Sequence, residues 1–291
     1  MLKLSLRNIL RQKIHTTMSL ISIICGVVGI ILAGGWVNDI FIQLGEALIH
    51  SQSGHIQIYK QGYFHEGSRS PEKYLIYDFD QMKKTVAQQI TVEKFDSITA
   101  RLNFSGLLNN GRSDLPIVGE GIQPENEGQF STALKITDGR QLTDQDKFGL
   151  MLGRGLANGL KLKPGDTVTL LTNTIEGTLN SLDFEVIGIF QTFSNDYDAR
   201  TIKISLATAQ ELLSINAVNA LVISLKETKN TDQITALLKN KLDSFDLEVR
   251  TWTELNDFYE KTVDLYKSQF GVLQLIILVM VCLSVANSVN M

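Results

Sequence analysis

TTMSLISIICGVVGIILAGGWVN, residues 16–38, carries no charged side chain. About 20 such residues, at a rise of ~1.5 Å each, cover the ~30 Å hydrocarbon core of a bilayer as a helix. Lys3, Arg7, Arg11 and Lys13 precede the run with no acid among them, so the excess of basic residues places the N-terminus in the cytoplasm. A second uncharged run, SQFGVLQLIILVMVCLSVANSVNM over residues 268–291, is also long enough to span and returns the chain toward the cytoplasm. Everything between the two is then exported. The competing readings of the first run are a cleavable secretory signal, whose apolar part is only about 7–15 residues, and a buried core helix, which its length disfavours.

The flanks of the first run carry their own patterns. In LKLSLRNILRQK, residues 2–13, Lys3, Arg7 and Arg11 recur every fourth position while Leu2, Leu6, Ile9 and Leu10 fall elsewhere on the helix. That predicts an amphipathic helix over residues 1–15 lying in the cytoplasmic headgroup layer, its basic face toward anionic lipid or a cytoplasmic partner; a plain topogenic charge cluster is the alternative. Within the run, Ser22, Gly26 and Gly29 are small residues at spacings of four and three, a surface on which another membrane helix can pack closely.

Charge is strongly segregated. All 31 acidic residues lie within 39–267, as do all the basic ones except the four before the first run, which leaves 23 lysines and arginines there and a net charge of about −8. Such a surface repels polyanions, so no nucleic-acid partner is expected. Both cysteines, Cys25 and Cys282, sit in the apolar runs, so the exported segment depends on its core for stability and not on disulfides.

Catalytic patterns are scarce. His15, His50, His55 and His65 lack metal-ligand spacing, and the Asp144/Asp146 and Asp196/Asp198 pairs lack the glycine and distal glutamate of a calcium loop. No phosphate-binding G-x-x-x-x-G-K-[ST] occurs. No cofactor and no enzymatic activity are expected, and any ATP is to be hydrolysed by another chain.

The exported segment predicts an α+β fold, plausibly in two lobes. HIQIY (residues 55–59), ALVIS (220–224) and FEVIGIF (184–190) read as strands, and LLNNGRSDLPIVGEGI (107–122) reads as a hairpin turning at Asn109, Asn110 and Gly111. KPGD at 163–166 is a turn before the strand candidate TVTLL, while ATAQELL (207–213) and DQITALLKNKL (232–242) have helical spacing. At the end, Thr251 and Glu254 have the T-x-x-E spacing of a capping box. From there an apolar stripe at three-and-four spacing predicts one continuous helix of about 40 residues, roughly 60 Å long, running into the second span.

The opening LSLRNILRQKIHTTMSLISIICGVVGIILAGG (residues 4–35), followed by SGHIQIYKQGYF (53–64), resembles the start of LolC/LolE-type ABC transporter permeases, of the FtsX-like superfamily. KITDGRQLTDQDKFGLMLGRGLANGLKLKPGDTVTLL (135–171), FEVIGIFQTF (184–193) and ISLATAQELL (204–213) are similar to the periplasmic core domain shared by the MacB and LolC/LolE families. The shared positions build backbone and core: turn glycines Gly139 and Gly165, packing leucines Leu142 and Leu152. None is catalytic.

The resemblance implies a bacterial inner-membrane, multi-pass permease subunit with a separate cytoplasmic ABC ATPase subunit and a second permease subunit, identical or different. Its task would be the release of lipoproteins or another lipophilic substrate by motion of the periplasmic domain. MacB itself carries a fused ATPase, and this chain opens directly on the membrane-surface helix, which favours the LolC/LolE-like branch. The expected organisation is a surface helix at 1–15, a first span at 16–38, a periplasmic domain at 39–267 and a second span at 268–291, where the family pattern has further spans to follow. The other class that fits is a membrane-anchored periplasmic ligand- or protein-binding module, a sensor or envelope scaffold without transport.

Overall fold

In the computed structural model the first apolar run lies within a single 36-residue helix, α1 (Lys13–Leu48). The structure describes residues 13–67, 71–90, 95–127, 133–242 and 245–290. Along α1 the large apolar side chains point outward without protein cover, Ile24 at 51% exposure and Ile31 and Leu32 at 67%. A helix of a soluble core would bury such a face; one in lipid has no need to. Among the described residues, two helical segments are long and apolar enough to cross a membrane, Ile23–Ser53 and Asp257–Leu283. The helix pair and the domain between them separate into two compact units, the domain comprising residues 46–255.

The domain begins where α1 unwinds through a wide π-helical turn, Ile49–Ser53, closed by the Gly54 N–H on the Ile49 carbonyl at 2.9 Å. Gly54 has φ +64°. Strand β1 (Ile56–Lys60) follows. It lies between β9 (Ala220–Leu225) and β10 (Leu247–Thr251), antiparallel to both, with Ile56 opposite Ile223 and Thr251. The N-terminal half of β2 (Phe95–Asn109) completes this first sheet region by pairing with β9. Helices α2 (Phe79–Gln89) and α5 (Thr231–Leu242) cover it and bury Val86, Ile234, Leu238 and Leu242. All six residues of β9 are buried, as expected of a strand with both faces covered, and this explains its unbroken apolar sequence.

The C-terminal half of β2 enters a second region. It turns through Asn110, Gly111, Arg112 and Ser113 into β3 (Asp114–Ile122), with Asn109 opposite Asp114. The asparagines make this turn: Asn110 Oδ1 accepts from the Arg112 and Ser113 N–H groups, and Gly111 holds φ +81°. From β3 the pairing runs through β8 (Thr201–Ser205), β5 (Gly149–Gly153), β7 (Leu179–Gln191) and β6 (Thr167–Asn173) back to β2. Six strands therefore close on themselves as a barrel, with β4 (Lys135–Gly139) added to β7. Closure removes open strand edges.

Leu108, Leu150, Leu170, Phe184, Val186 and Ile204 are fully or almost fully buried in it. Helix α3 (Arg154–Leu160) packs on β5 and β7, and α4 (Leu206–Leu213) on β3. The two lobes expected from sequence are thus two sheet regions sharing β2, and one contiguous apolar core runs through both.

Contact between α4 and β3 is set by Gly121. A Cβ at that position would lie 2.4 Å from the Ala209 Cβ and 3.3 Å from the Leu102 carbonyl oxygen. Gly121→Val should therefore destabilise the domain by about 1–3 kcal/mol, seen as a lower midpoint of thermal or denaturant unfolding; an unchanged midpoint would contradict this packing.

Candidate functional site

The helix pair meets closely at two glycines and, toward one end, through an aromatic pair and a hydrogen bond. A Cβ on Gly26 would sit 3.3 Å from Val281 Cγ2 and 3.4 Å from Ile277 Cγ2 of the last helix, α6 (Asp257–Asn290), and one on Gly34 would sit 3.2 Å from the Phe270 ring. Toward the other end, Phe41 and Tyr266 meet edge to face at 5.6 Å, and the Tyr259 hydroxyl donates to the Phe41 carbonyl at 3.2 Å. Of the small residues singled out in the sequence, Gly26 makes a helix contact. Gly29 faces open space: at ~100° per residue it sits about 60° to one side of Gly26, whereas Gly34 sits about 80° to the other. The Ser22 side chain lies outside the described residues, as do Lys3, Arg7 and Arg11. Gly34 was not singled out: its neighbour Gly35 is open, and sequence spacing alone does not tell the two apart.

The capping box forms as its spacing predicts. The Thr251 N–H donates to Glu254 Oε2 at 3.0 Å, and the Glu254 N–H to Thr251 Oγ1 at 3.3 Å. Yet it closes only a single turn, Trp252–Leu255. The chain leaves helical geometry at Asn256, whose carbonyl accepts from the Tyr259 N–H at 2.8 Å as a fresh helix start, and the 34-residue α6 begins at Asp257. The coupling helix expected to begin at Thr251 and Glu254 is corrected accordingly. Asparagine is a preferred N-terminal cap because its side chain competes for nearby backbone groups, and the apolar stripe masked that break.

The domain's two chain connections meet at one edge. The Trp252 N–H donates to the His55 carbonyl at 3.0 Å, and the Gln61 N–H donates to the Asp246 carbonyl at 2.9 Å, extending the β1–β10 ladder at both ends. His55, 1% exposed, anchors this corner. The Leu225 N–H donates to its Nδ1 at 3.1 Å, leaving the proton on Nε2, which is 3.1 Å from Thr228 Oγ1. The Thr228 hydroxyl donates in turn to Glu46 Oε1 at 2.6 Å, and Glu46 Oε2 lies 3.3 Å from His50 Nε2. Burial, aided by His50 and opposed by Glu46, pushes His55 down to about 4. It is a packed imidazole with a hydrogen-bond partner on each ring nitrogen, just before β1.

A second polar centre was invisible in the sequence. Arg101 of β2 forms a two-pronged pair with Glu127 at 2.9 Å on each arm, and Arg101 also donates to the Gln52 carbonyl. Beside it, Glu120 of β3 accepts from Lys203 of β8 and from the Tyr197 hydroxyl, each at 2.7 Å. None of the four charged residues is more than 9% exposed. Burial opposes ionisation of Glu120, but Lys203 and Arg101 outweigh it and hold its pKa below the ordinary value. Burial likewise opposes the charge of Arg101, and Glu127 and Glu120 overcome it. Two positive and two negative groups thus compensate one another, tying β2, β3, β8 and the turn Pro124–Glu127 to the chain's entry at Gln52.

Two apolar helices, each long enough to cross a membrane, thus flank an α+β domain. Residues 16–241 match the MacB-like periplasmic core domain, and the chain belongs to that family. Over 151 residues it is 26% identical to the lipoprotein-releasing system transmembrane protein LolC of Neisseria meningitidis serogroup B, covering 50% of this chain and 36% of that protein. The chain thus spans about a third of the length of that relative. Among solved structures it is similar to the periplasmic region of MacB from Actinobacillus actinomycetemcomitans (TM-score 0.49, 18% identity, 74% of this chain and 94% of that one). It is also similar to the extracellular domain of the noncanonic ABC-type transporter YknZ from Gram-positive bacteria (TM-score 0.46, 15% identity, 68% and 100%). The compact unit of residues 46–255 holds most of the match to the MacB-like periplasmic core domain.

Two consequences can be measured. Glu120→Gln leaves Lys203 and Arg101 short of a buried partner and should cost about 3–5 kcal/mol of stability, whereas Glu227→Gln, at an exposed pair with Lys229, should cost less than about 1 kcal/mol. For His55, the unfolded chain binds a proton near the ordinary 6.5 that the folded chain refuses until about 4. Stability should therefore fall as the pH drops through that window, and His55→Gln should flatten the dependence in thermal unfolding between pH 6.5 and 4.5.

Proposed function

We propose that the chain is a multi-pass inner-membrane permease subunit of an ABC transporter, with a surface helix at 1–15 and spans within α1 and α6. It works with a separate cytoplasmic ATPase and a second permease subunit, and motion of its periplasmic domain releases lipoproteins or another lipophilic substrate. The observation that carries this is the MacB-like domain inserted between two apolar helices, with its first and last strands hydrogen-bonded to each other. A displacement delivered at either connection is then shared by both strands and passes into the sheet as one body.

Several features support the reading. These 291 residues hold no phosphate-binding G-x-x-x-x-G-K-[ST] motif, which is compatible with ATP-driven work by a partner. The relative whose name specifies lipoprotein release favours that cargo over peptides or drugs. Because the helix is interrupted at Asn256, transmission rests on the β1–β10 pair and the Arg101 contact to Gln52 and not on one rigid 40-residue rod.

Affinity capture of the full-length gene product from detergent-solubilised membranes should recover an ATPase carrying a Walker motif, and its consistent absence would overturn the permease reading in favour of an anchored binding module. Depletion of the gene should leave lipoproteins in the inner membrane. Normal lipoprotein sorting with lost resistance to a peptide or drug would reassign the cargo.

A further inference from the structure

The strand that joins the two sheet regions has a gap along one side. On that side β2 pairs with β9 as far as Arg101 and with β6 from Leu107 onward, so residues 102–106 have no strand neighbour there. The break is plugged by side chains. Asn219 Oδ1 accepts from the Asn103 N–H and its Nδ2 donates to the Asn103 carbonyl, both at 3.0 Å, while the Thr172 hydroxyl donates to the Ser105 carbonyl at 2.7 Å. With the main-chain groups of Asn103 already engaged, an added strand is disfavoured, and the gap opens instead as a cleft of about 510 Å³.

The lining of the cleft has a specific chemical character. Its walls include Leu75, Phe104, Val118 and Leu213, faced by the amide of Asn103 and by Thr174. Among the described residues no charged side chain lines it, although the domain surface is rich in carboxylates. The Asn103 side chain is the unused polar group: its Oδ1 is shut off from solvent and has no hydrogen-bond partner. Native structures seldom leave such an acceptor idle, and rotation of the amide presents it to the cleft without breaking an existing Oδ1 bond. A volume of this size falls in the range of small-molecule sites, which combine apolar walls with a few placed polar groups.

We propose that the cleft between the two sheet regions is a binding site for an uncharged, largely apolar molecule that donates a hydrogen bond to Asn103. The described walls, being uncharged, select against ions, because a charge entering among them loses its water without gaining a counter-ion. The site belongs to the periplasmic domain itself and stands whether or not the chain works with an ATPase.

A matched pair of fluorescent probes tests it on the full chain in lipid nanodiscs, with empty nanodiscs as background. N-phenyl-1-naphthylamine is neutral, apolar and carries one N–H donor; 8-anilino-1-naphthalenesulfonate has the same ring system with a fixed negative charge. The neutral probe should bind saturably, one per chain, and the sulfonate more than about tenfold more weakly. Asn103→Ala should weaken the neutral probe by about threefold to tenfold, the worth of one hydrogen bond. Val118→Trp, at a partly exposed wall position, should abolish binding by filling the cleft. Hydrogen exchange on the unmodified chain should show protection of residues 102–106 on adding the neutral probe, a readout independent of whether either variant folds. Binding that does not saturate, is equal for both probes, or leaves residues 102–106 unprotected overturns the proposal.

Discussion

The β1–β10 ladder is the constraint on which the structure depends. Ile56 sits opposite Thr251 and Lys60 opposite Leu247, so the strand that enters the domain and the strand that leaves it are hydrogen-bonded neighbours. The domain therefore begins and ends in one place, as a property of its sheet. The corner is then locked by groups that could not be buried singly: His55 is neutral and satisfied on both ring nitrogens, and the Thr251–Glu254 box closes the first turn after β10.

The second organising element is β2. Its 15 residues belong to two sheets in succession, and its partner on one side changes from β9 to β6 across the gap at residues 102–106. A strand that crosses between sheets in this way leaves backbone groups to be satisfied by side chains, here Asn219 and Thr172. It also brings Arg101 beside Glu120 and Lys203 of neighbouring strands. Buried charges of this kind add little net stability compared with apolar packing, but losing any one is costly. Their effect is to hold the relation of the two sheet regions, and through Gln52 the position of the chain's entry, to one arrangement.

Much of the fold was legible in the residues because its signals are local. The asparagine-glycine turn at 109–111, the KPGD turn and the alternating or fully apolar strand runs act within a few positions, and each became the element its chemistry specifies. The candidate site was less legible. Of Ser22, Gly26 and Gly29, Gly26 meets a helix and Gly29 does not. Thr251 and Glu254 cap a turn that stops at Asn256, because the apolar periodicity used to extend the helix continues on both sides of the break. Arg101, Glu120, Glu127 and Lys203 carried no mark at all: nothing in the sequence distinguishes a charge that will be buried from the other charges of an acidic domain.

The sequence by itself determined that two apolar runs long enough to cross a membrane flank a polar domain, and which short segments are strands, helices and turns. Those properties follow from hydrophobicity, charge and backbone preference, which act over a few residues or across one bilayer thickness. Only the tertiary structure decided that β1 lies beside β10, that six strands close into a barrel through β2, and that four charges are shut inside. Each of these depends on pairing between residues far apart in the chain, and strand partners are selected by the packing of the whole core, not by any local pattern.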